Sequence, residues 1–397
     1  MTVVKDSGAR ATLPPFNEEH EELRETVSRF VTKEIAPNVD EWEAAREFPR
    51  ELFSRCAELG FLGLKFPEEL GGQGGTHLHD AVWVEELARS GGSGGVAAGL
   101  NAHTSIAMPP IFNFGTTEQK QRWLVPGIAG EKIGALGITE PGAGSDVASL
   151  ATTARRDGDS YIVNGSKTFI TNGVRADFLV CACKTSEEGG HGGISFLVLE
   201  SEMPGYEVSA KLEKMGWHSS DTGEISFTDV EVPAENLLGE EGQGFRYLMR
   251  NLAQERLAIA ITAAAGARGA LDRTLEYVKE RQAFGRPVGT FQNSRFRLAA
   301  CHGEMQVTQA HVDSALARHI AGELTPEDAA IAKWWATESQ GRIVDACLQL
   351  HGGYGYMVEY PISRAYADAR VNRIYGGSNE IMLEIVGRSL GLGEPRA

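Results

Sequence analysis

Residues 137–149 read G-I-T-E-P-G-A-G-S-D-V-A-S, and the organisation of the chain is best read outward from them. Gly142 and Gly144 bracket Ala143, just after Pro141 and just before Ser145 and Asp146. Glycines let a backbone approach a ligand closely and reach conformations closed to other residues. Clustered backbone N–H groups can then cradle anionic oxygens, and the hydroxyls of Thr139 and Ser145 can donate or accept beside them. A bare P-G-A-G is by itself an ordinary surface turn, so its meaning depends on what surrounds it.

On the N-terminal side the texture is helical. After Asn17, a plausible cap, Leu23, Val27, Phe30 and Val31 fall at helical spacing with acids early in the segment. G-G-Q-G-G (71–75) and G-G-S-G-G (91–95) are too short to link domains and read as loops between helices. From about 136 to 240 the texture changes to strands. Asp157-Gly158 and Asn164-Gly165 are hairpin-type turn pairs flanking Y-I-V. The runs F-L-V-C-A-C and I-S-F-L-V-L follow, and E-I-S-F-T-D-V-E-V-P alternates as a strand does. From about 244 helices return: 246–280 is rich in Ala, Leu and Arg without proline, and Thr325-Pro326-Glu327-Asp328 is a helix start with cap, proline and acids in order. Helical, then β, then helical departs from a dinucleotide-binding α/β fold, which alternates strand and helix throughout.

At 397 residues the chain is long enough for two or three domains. A hydrophobic content of 42% with 23% charged residues is ordinary for a globular protein. The net charge of −16 provides no basic field to meet nucleic-acid phosphates or anionic membranes, and no run reaches the roughly 18 apolar residues of a spanning helix. The stretch M-T-V-V-K-D-S-G-A-R has no signal-peptide core. Cys56, Cys181, Cys183, Cys301 and Cys347 form no metal-ligand spacing, so no metal is expected and the cysteines read as buried thiols of a reducing compartment. Cys181 and Cys183 share a strand face, a placement in which neighbours rarely bond each other.

A second glycine cluster lies at 349–368, Q-L-H-G-G-Y-G-Y-M-V-E-Y-P-I-S-R-A-Y-A-D. Alone it would be a helix stop. Together, the runs at 137–149 and 349–368 closely resemble the two signatures of the acyl-CoA dehydrogenases. K-T-F-I-T-N-G (167–173), R-Q-A-F-G-R (281–286) and I-Y-G-G-S-N-E-I (374–381) match family blocks in the same order. The resemblance covers nearly the whole chain. It implies a mainly α fold with a central β-domain: an N-terminal α-helical domain (1–135), a middle β-barrel-like domain (136–243) and a C-terminal four-helix bundle (244–397).

The resemblance also implies FAD held without a covalent bond. Ile138, Thr139, Gly144 and Ser145 would contact flavin from the first loop, with Ser145 also reaching the substrate. Phe169 would pack on the isoalloxazine ring, where many relatives carry tryptophan, and Thr171 would reach the N5 edge. Arg281, Phe284 and Gln292 would line the adenosine-pyrophosphate part. Gln349, Gly352 and Gly353 would approach the dinucleotide from a neighbouring subunit, and Ser378 and Glu380 fall where relatives touch FAD. Core packing is the commoner fate of a lone phenylalanine such as Phe169 or Phe284.

The implied reaction needs a base for the proton α to the thioester carbonyl, donors for the enolate-like oxygen, and a flavin N5 that accepts hydride from the β-carbon. Burial strengthens a carboxylate base by raising its pKa. Many relatives carry that acid in I-Y-E-G-T; here the segment is Ile374-Tyr375-Gly376-Gly377-Ser378. Long-chain and isovaleryl-type enzymes place it on an earlier helix in an E-R-L context, which matches Gln254-Glu255-Arg256-Leu257. Residues three and four away from Glu255 are Leu252, Asn251, Ala258 and Ile259, none of them basic. An acid on that stripe is either a functional carboxylate or an exposed glutamate at a helix edge. The Gly376 N–H would still help hold the thioester oxygen, and Arg256 and Tyr375 would flank the substrate. A glutamate restored at 376 in a Glu255→Gln background is expected to recover partial activity.

The blocks look closest to the long-chain branch. Small residues at Val96-Ala97-Ala98-Gly99-Leu100 lie where relatives floor the acyl pocket, consistent with long or methyl-branched chains. Where M-G-x-R is common, this chain has Met215-Gly216-Trp217-His218. The resemblance implies electron-transfer flavoprotein as the electron acceptor, a homo-oligomer that is at least a dimer and typically a tetramer, and a role in fatty-acid β-oxidation. It implies a bacterial cytoplasm, or the mitochondrial matrix for a processed eukaryotic chain. Three other readings share parts of this pattern: an acyl-CoA oxidase, a flavin monooxygenase on the same fold, and a catalytically silent FAD- or CoA-binding subunit.

Overall fold

The computed structural model describes residues 15–91, 93–186 and 190–392. The N-terminal stretch read above for a signal core, and Gly92 within 91–95, lie outside the described residues. The chain forms two compact units: Met1–Glu41, His77–Ala97 and Arg256–Ala397 in one, Trp42–Thr76 and Ala98–Glu255 in the other.

The second unit is built on an eight-stranded sheet: β1 (Gly134–Gly137), β2 (Thr153–Asp157), β3 (Ser160–Thr171), β4 (Phe178–Lys184), β5 (Ile194–Glu200), β6 (Tyr206–Lys211), β7 (Thr222–Pro233) and β8 (Leu237–Leu238). The strand order is β6-β7-β3-β2-β4-β5-β8, with β1 alongside β4 in parallel. The apolar runs expected to be strands are β4 and β5, and both of their faces are covered. Phe178, Val180, Phe196 and Val198 face one core with Trp123, Leu124 and Met108. Leu179, Cys181, Leu197 and Leu199 face another with Tyr161, Val163 and Ile225. Burial on both faces removes the need for polar alternation, which explains the continuous hydrophobicity of these strands. All five cysteines are free and buried.

One of the two expected turn pairs is a hairpin turn and the other is not. Gly158, at φ +59°, turns β2 into β3. Asn164-Gly165 instead sits inside β3, where the register against β7 shifts. Gly165 is at φ +146°, and a Cβ there would come within 2.6 Å of Thr152 Oγ1. The pair is a bulge that lets two backbones approach closely. Its Asn164 amide donates to Asp229 Oδ1 over 3.0 Å.

The first unit is helical. Helix Glu18–Phe30 begins at the Asn17 cap, whose side chain accepts the His20 N–H while the His20 ring accepts the Asn17 N–H. It packs on helix His77–Ser90, where buried Arg24 donates to Glu85 at 2.7 Å and Glu86 at 3.1 Å. Gly94 and Gly95, expected in a loop, open helix Gly94–Asn101, because Asp368 accepts the Gly94 N–H at 2.9 Å and satisfies the helix start. Helices Gln292–Ile320, Pro326–His351, Pro361–Ala369 and Asn379–Ser389 pack in succession around the second of them. Thr325 and Asp328 cap helix Pro326–His351 reciprocally. Gly244–Glu280 is one 37-residue helix, and the division between the units falls inside it, between Glu255 and Arg256. The chain thus has helices at both ends and a central sheet. Among the described residues no helix is long and apolar enough to cross a membrane, and no cluster of His, Cys, Asp and Glu could hold a metal ion.

Candidate active site

In the β-unit the glycine loop hangs from an internal ion pair. Lys167, fully buried, donates to Glu140 Oε1 at 2.7 Å and to the Ile138 carbonyl at 3.2 Å. Glu140 also accepts the N–H groups of Ala151 and Thr152. Burial opposes its ionisation, but the Lys167 ammonium and these donors hold its carboxyl below the ordinary range. Glu140 and Ala143 exchange backbone bonds of 2.9 and 3.1 Å, closing a tight turn over Pro141-Gly142. The loop beyond is open: a Cβ at Gly142 or Gly144 would meet nothing within 4 Å, and Ser145 is exposed. Thr139 and Ile138 are half-buried at its base.

The Thr139 carbonyl accepts the Thr168 N–H at 2.9 Å, which brings the loop to the end of β3. There the register shifts again, so that Thr168 and Phe169 both stand opposite Glu224. The bulge turns Phe169 out: its φ is +60° and its ring is 69% exposed. A non-glycine residue in this region costs on the order of 1–3 kcal/mol and persists where the surroundings impose it. Core packing, the commoner fate of a phenylalanine, does not apply to this one. Thr171, half-buried, follows two residues on.

Glu255 lies on helix Gly244–Glu280 and is 8% exposed, so it is not a glutamate at an exposed helix edge. One turn earlier Asn251 accepts from Asn113 at 3.1 Å through its Oδ1, while its Nδ2 has no partner. Gln254 Nε2 is likewise buried without an acceptor. Buried donors with no acceptor cost stability, and helix Gly244–Glu280 carries these two within one turn of Glu255 in sequence.

In the helical unit one group of expected residues gathers at 374–380. Arg256, buried, donates from Nε to the Gly376 carbonyl at 3.4 Å. Gly376 at φ +65° and Gly377 at φ +88° form a left-handed double-glycine turn. Tyr375 precedes it, and burial pushes its phenol up. Ser378 caps helix Asn379–Ser389 by accepting the Ile381 N–H. Glu380 is exposed, and its own N–H and the Ser378 hydroxyl hold its carboxyl below the ordinary range. Lys333 also reaches this turn, and no feature of the sequence announced it.

A second group lies elsewhere in the same unit. Gln282–Ala283 and Arg286–Pro287 form a two-stranded hairpin whose turn is Phe284 (φ +50°) and Gly285 (φ +76°). Positive φ at both central residues matches the twist of the flanking strands, and it leaves Phe284 96% exposed. Arg281 enters this hairpin with its guanidinium 5.1 Å from the Tyr354 ring centre. Gln292 opens helix Gln292–Ile320, which has no side-chain cap. Gln349, Gly352 and Gly353 are exposed at the end of helix Pro326–His351, where Gly352 (φ +60°) stops the helix and a Cβ on either glycine would meet open space.

Each unit by itself offers surfaces of a kind that a flavin dinucleotide uses. In the sheet unit Phe169 offers a bare aromatic face and the glycine loop offers hydroxyls and unobstructed backbone; in the helical unit the Arg281 guanidinium and the uncapped start of helix Gln292–Ile320 are groups that suit phosphate oxygens. At Met215-Gly216-Trp217-His218, Trp217 is at φ +55° and the His218 Nε2 bonds the Lys214 carbonyl at 3.0 Å. Nothing in the structure explains why this chain departs from M-G-x-R there.

Three family models match the chain: the acyl-CoA dehydrogenase N-terminal domain over 17–131, the middle domain over 135–230 and the C-terminal domain over 242–391. The rat mitochondrial long-chain specific acyl-CoA dehydrogenase is 44% identical over 378 residues, covering 94% of this chain and 87% of the relative. A crystal structure of an acyl-CoA dehydrogenase from Geobacillus kaustophilus superposes with a TM-score of 0.92 at 46% identity, covering 96% of this chain and all of that one. The caffeyl-CoA reductase-Etf complex subunit CarC of Acetobacterium woodii is 37% identical over 372 residues, covering 94% and 98% of the two chains.

Proposed function

The chain belongs to the acyl-CoA dehydrogenase family, a family of FAD-dependent enzymes, and on that premise we propose that it oxidises the Cα–Cβ bond of medium, long or branched acyl-CoA thioesters with Glu255 as the base. FAD, when bound, supplies the acceptor for the hydride that leaves the β-carbon. Glu255 takes the α-proton, and the product is the trans-2-enoyl thioester. The Gly376 N–H donates to the thioester oxygen as negative charge develops there. Phe169, Thr139, Ser145, Ile138, Gly144 and Thr171 hold and orient the flavin ring, while Ser378 and Glu380 contact the cofactor. Arg281, Phe284 and Gln292 take its adenosine-pyrophosphate end. Tyr375, Arg256 and Ser145 flank the acyl-CoA.

One observation carries the assignment of the base: the Glu255 side chain is buried, at 8% exposure, while position 376, the other place for an acid in relatives, is glycine. Long chains are favoured by the likeness to the rat long-chain enzyme, and branched chains remain within the same family reading. Electron-transfer flavoprotein as acceptor is supported by the relative named as part of an Etf complex. An assembly of at least two, and typically four, subunits follows from the family reading. A role in β-oxidation, in a bacterial cytoplasm or a mitochondrial matrix, follows from the same family reading.

Anaerobic mixing of the FAD-loaded protein with acyl-CoAs of graded length and branching tests the proposal. Immediate bleaching of the flavin, strongest with longer or branched chains, is expected. Glu255→Gln should keep its flavin and lose bleaching by about 10³-fold or more. Retention of more than about a tenth of the rate in that variant would remove Glu255 from the role.

A further inference from the structure

Helix Pro326–His351 presents a row of polar side chains to the segment that carries Gly376. Lys333, 0% exposed, donates to the Gly377 carbonyl at 2.9 Å and to Asn379 Oδ1 at 2.9 Å. One turn on, Thr337 and Asn379 are joined at 3.0 Å. Glu338 accepts from Asn379 at 2.8 Å and pairs with Arg373 at 3.1 Å, and Gln340 accepts from Asn372 at 2.7 Å. Arg256 holds the Gly376 carbonyl from its own helix. Residues 372–379 are thus fastened along their length to one helix.

Lys333 is the costly member of the row. A fully buried ammonium facing a carbonyl and an amide, with no carboxylate within ion-pair distance among the described residues, is poor value for stability alone. Gly376 and Gly377 have the greatest backbone freedom in the segment and the most to lose without a fastener. We propose that Lys333 is a positioning residue for the reaction: by gripping the Gly377 carbonyl and Asn379 it fixes the double-glycine turn, and so the aim of the Gly376 N–H at the thioester oxygen. This rests on the role given above to that N–H.

The charge state of Lys333 bears on the grip. Burial lowers its ammonium to about 8, Arg256 pushes the same way, and Glu380 and Glu338 oppose both. It is charged near neutral pH and loses its proton as pH rises through about 8, when both charge-assisted bonds become ordinary ones.

The test uses FAD-loaded wild type, Lys333→Met and Lys333→Arg, with an acyl-CoA that bleaches the wild type. In Lys333→Met, bleaching at saturating substrate should slow about tenfold or more while affinity for the enoyl-CoA product changes less than about threefold, because misalignment costs rate rather than binding. Amides 375–378 should exchange hydrogen faster in that variant than in wild type. The wild-type rate should fall through about pH 8, and Lys333→Arg, permanently charged, should keep most of the rate and lose the fall. A Lys333→Met rate within about twofold of wild type, or a wild-type profile flat from about pH 7 to 9.5, overturns the proposal. If Lys333→Met does not fold, the wild-type and Lys333→Arg profiles decide. If no acyl-CoA bleaches the wild type, the dehydrogenase reading fails instead, and unchanged exchange at 375–378 in Lys333→Met separately refutes the positioning role.

Discussion

Moving the proposed base from 255 to 376 is a swap that the sequence recommends and the structure obstructs. Gly376 sits at φ +65°, and a Cβ built there would lie 2.3 Å from Ile259 Cδ1. Two costs therefore meet in Gly376→Glu. The left-handed backbone costs a non-glycine residue roughly 1–3 kcal/mol, and forcing a buried neighbour aside costs about 1–3 kcal/mol more. A combined penalty of some 2–6 kcal/mol exceeds what a few hydrogen bonds to the turn can resist, so the turn should shift and carry the new carboxylate out of line. The next nearest atom, Ile259 Cγ1, is at 3.8 Å, an ordinary contact, so of the atoms around that Cβ only the terminal methyl is in the way. Ile259→Val removes that methyl at a cost of about 0.5–1.5 kcal/mol. We expect Glu255→Gln/Gly376→Glu to remain inactive, and the triple variant with Ile259→Val to regain bleaching. Stopped-flow bleaching with a chain-length series, alongside thermal unfolding of each protein, measures both effects. Full recovery in the double variant without Ile259→Val, at unchanged melting temperature, would refute the steric reasoning.

Two further outcomes follow from single residues. His103 is fully buried with Nε2 bonded to the Gly127 carbonyl at 2.9 Å and Nδ1 accepting from the Gly134 N–H at 3.0 Å, so it is held neutral. Burial lowers it to about 4 despite the Gly127 carbonyl, so the unfolded chain binds the extra proton first. Its contribution is whole above about pH 6.5 and is lost as pH falls toward 4, a loss of about 3 kcal/mol that urea titrations at stepped pH should show and that His103→Gln should flatten. Phe169→Asn should stabilise the flavin-free protein by up to about 1 kcal/mol, since asparagine accepts the left-handed backbone, while weakening FAD retention. Unfolding of the apoprotein and a flavin-binding titration separate the two effects, and a variant that loses stability and keeps its flavin contradicts the strain argument.

What the sequence disclosed and what it hid divide along the range of the interactions involved. Asn17, Thr325 and the Asp157-Gly158 turn were legible because each is satisfied within a few residues. Asn164-Gly165 carries the same local chemistry as a turn, yet the strand opposite and Thr152 decide that it is a bulge. Gly94 became a helix start through Asp368, 274 residues away. The contrast is sharpest at the candidate site. Its loops could be read because glycines and hydroxyls in series have few other uses. The cations that hold those loops, Lys167 for 137–149 and Lys333 for 374–380, lie 27 and 44 residues from the groups they grip. On a strand and a helix respectively each looks like a solvated surface lysine, the usual place for that side chain. Both sit at 0% exposure and face a backbone carbonyl of a glycine-bearing loop. Loops with bare backbone and left-handed turns need fasteners that their own side chains cannot supply. Here the chain supplies them as buried ammonium groups at a cost in desolvation, Lys167 from a different block than the loop it holds and Lys333 from outside every motif by which the site is recognised.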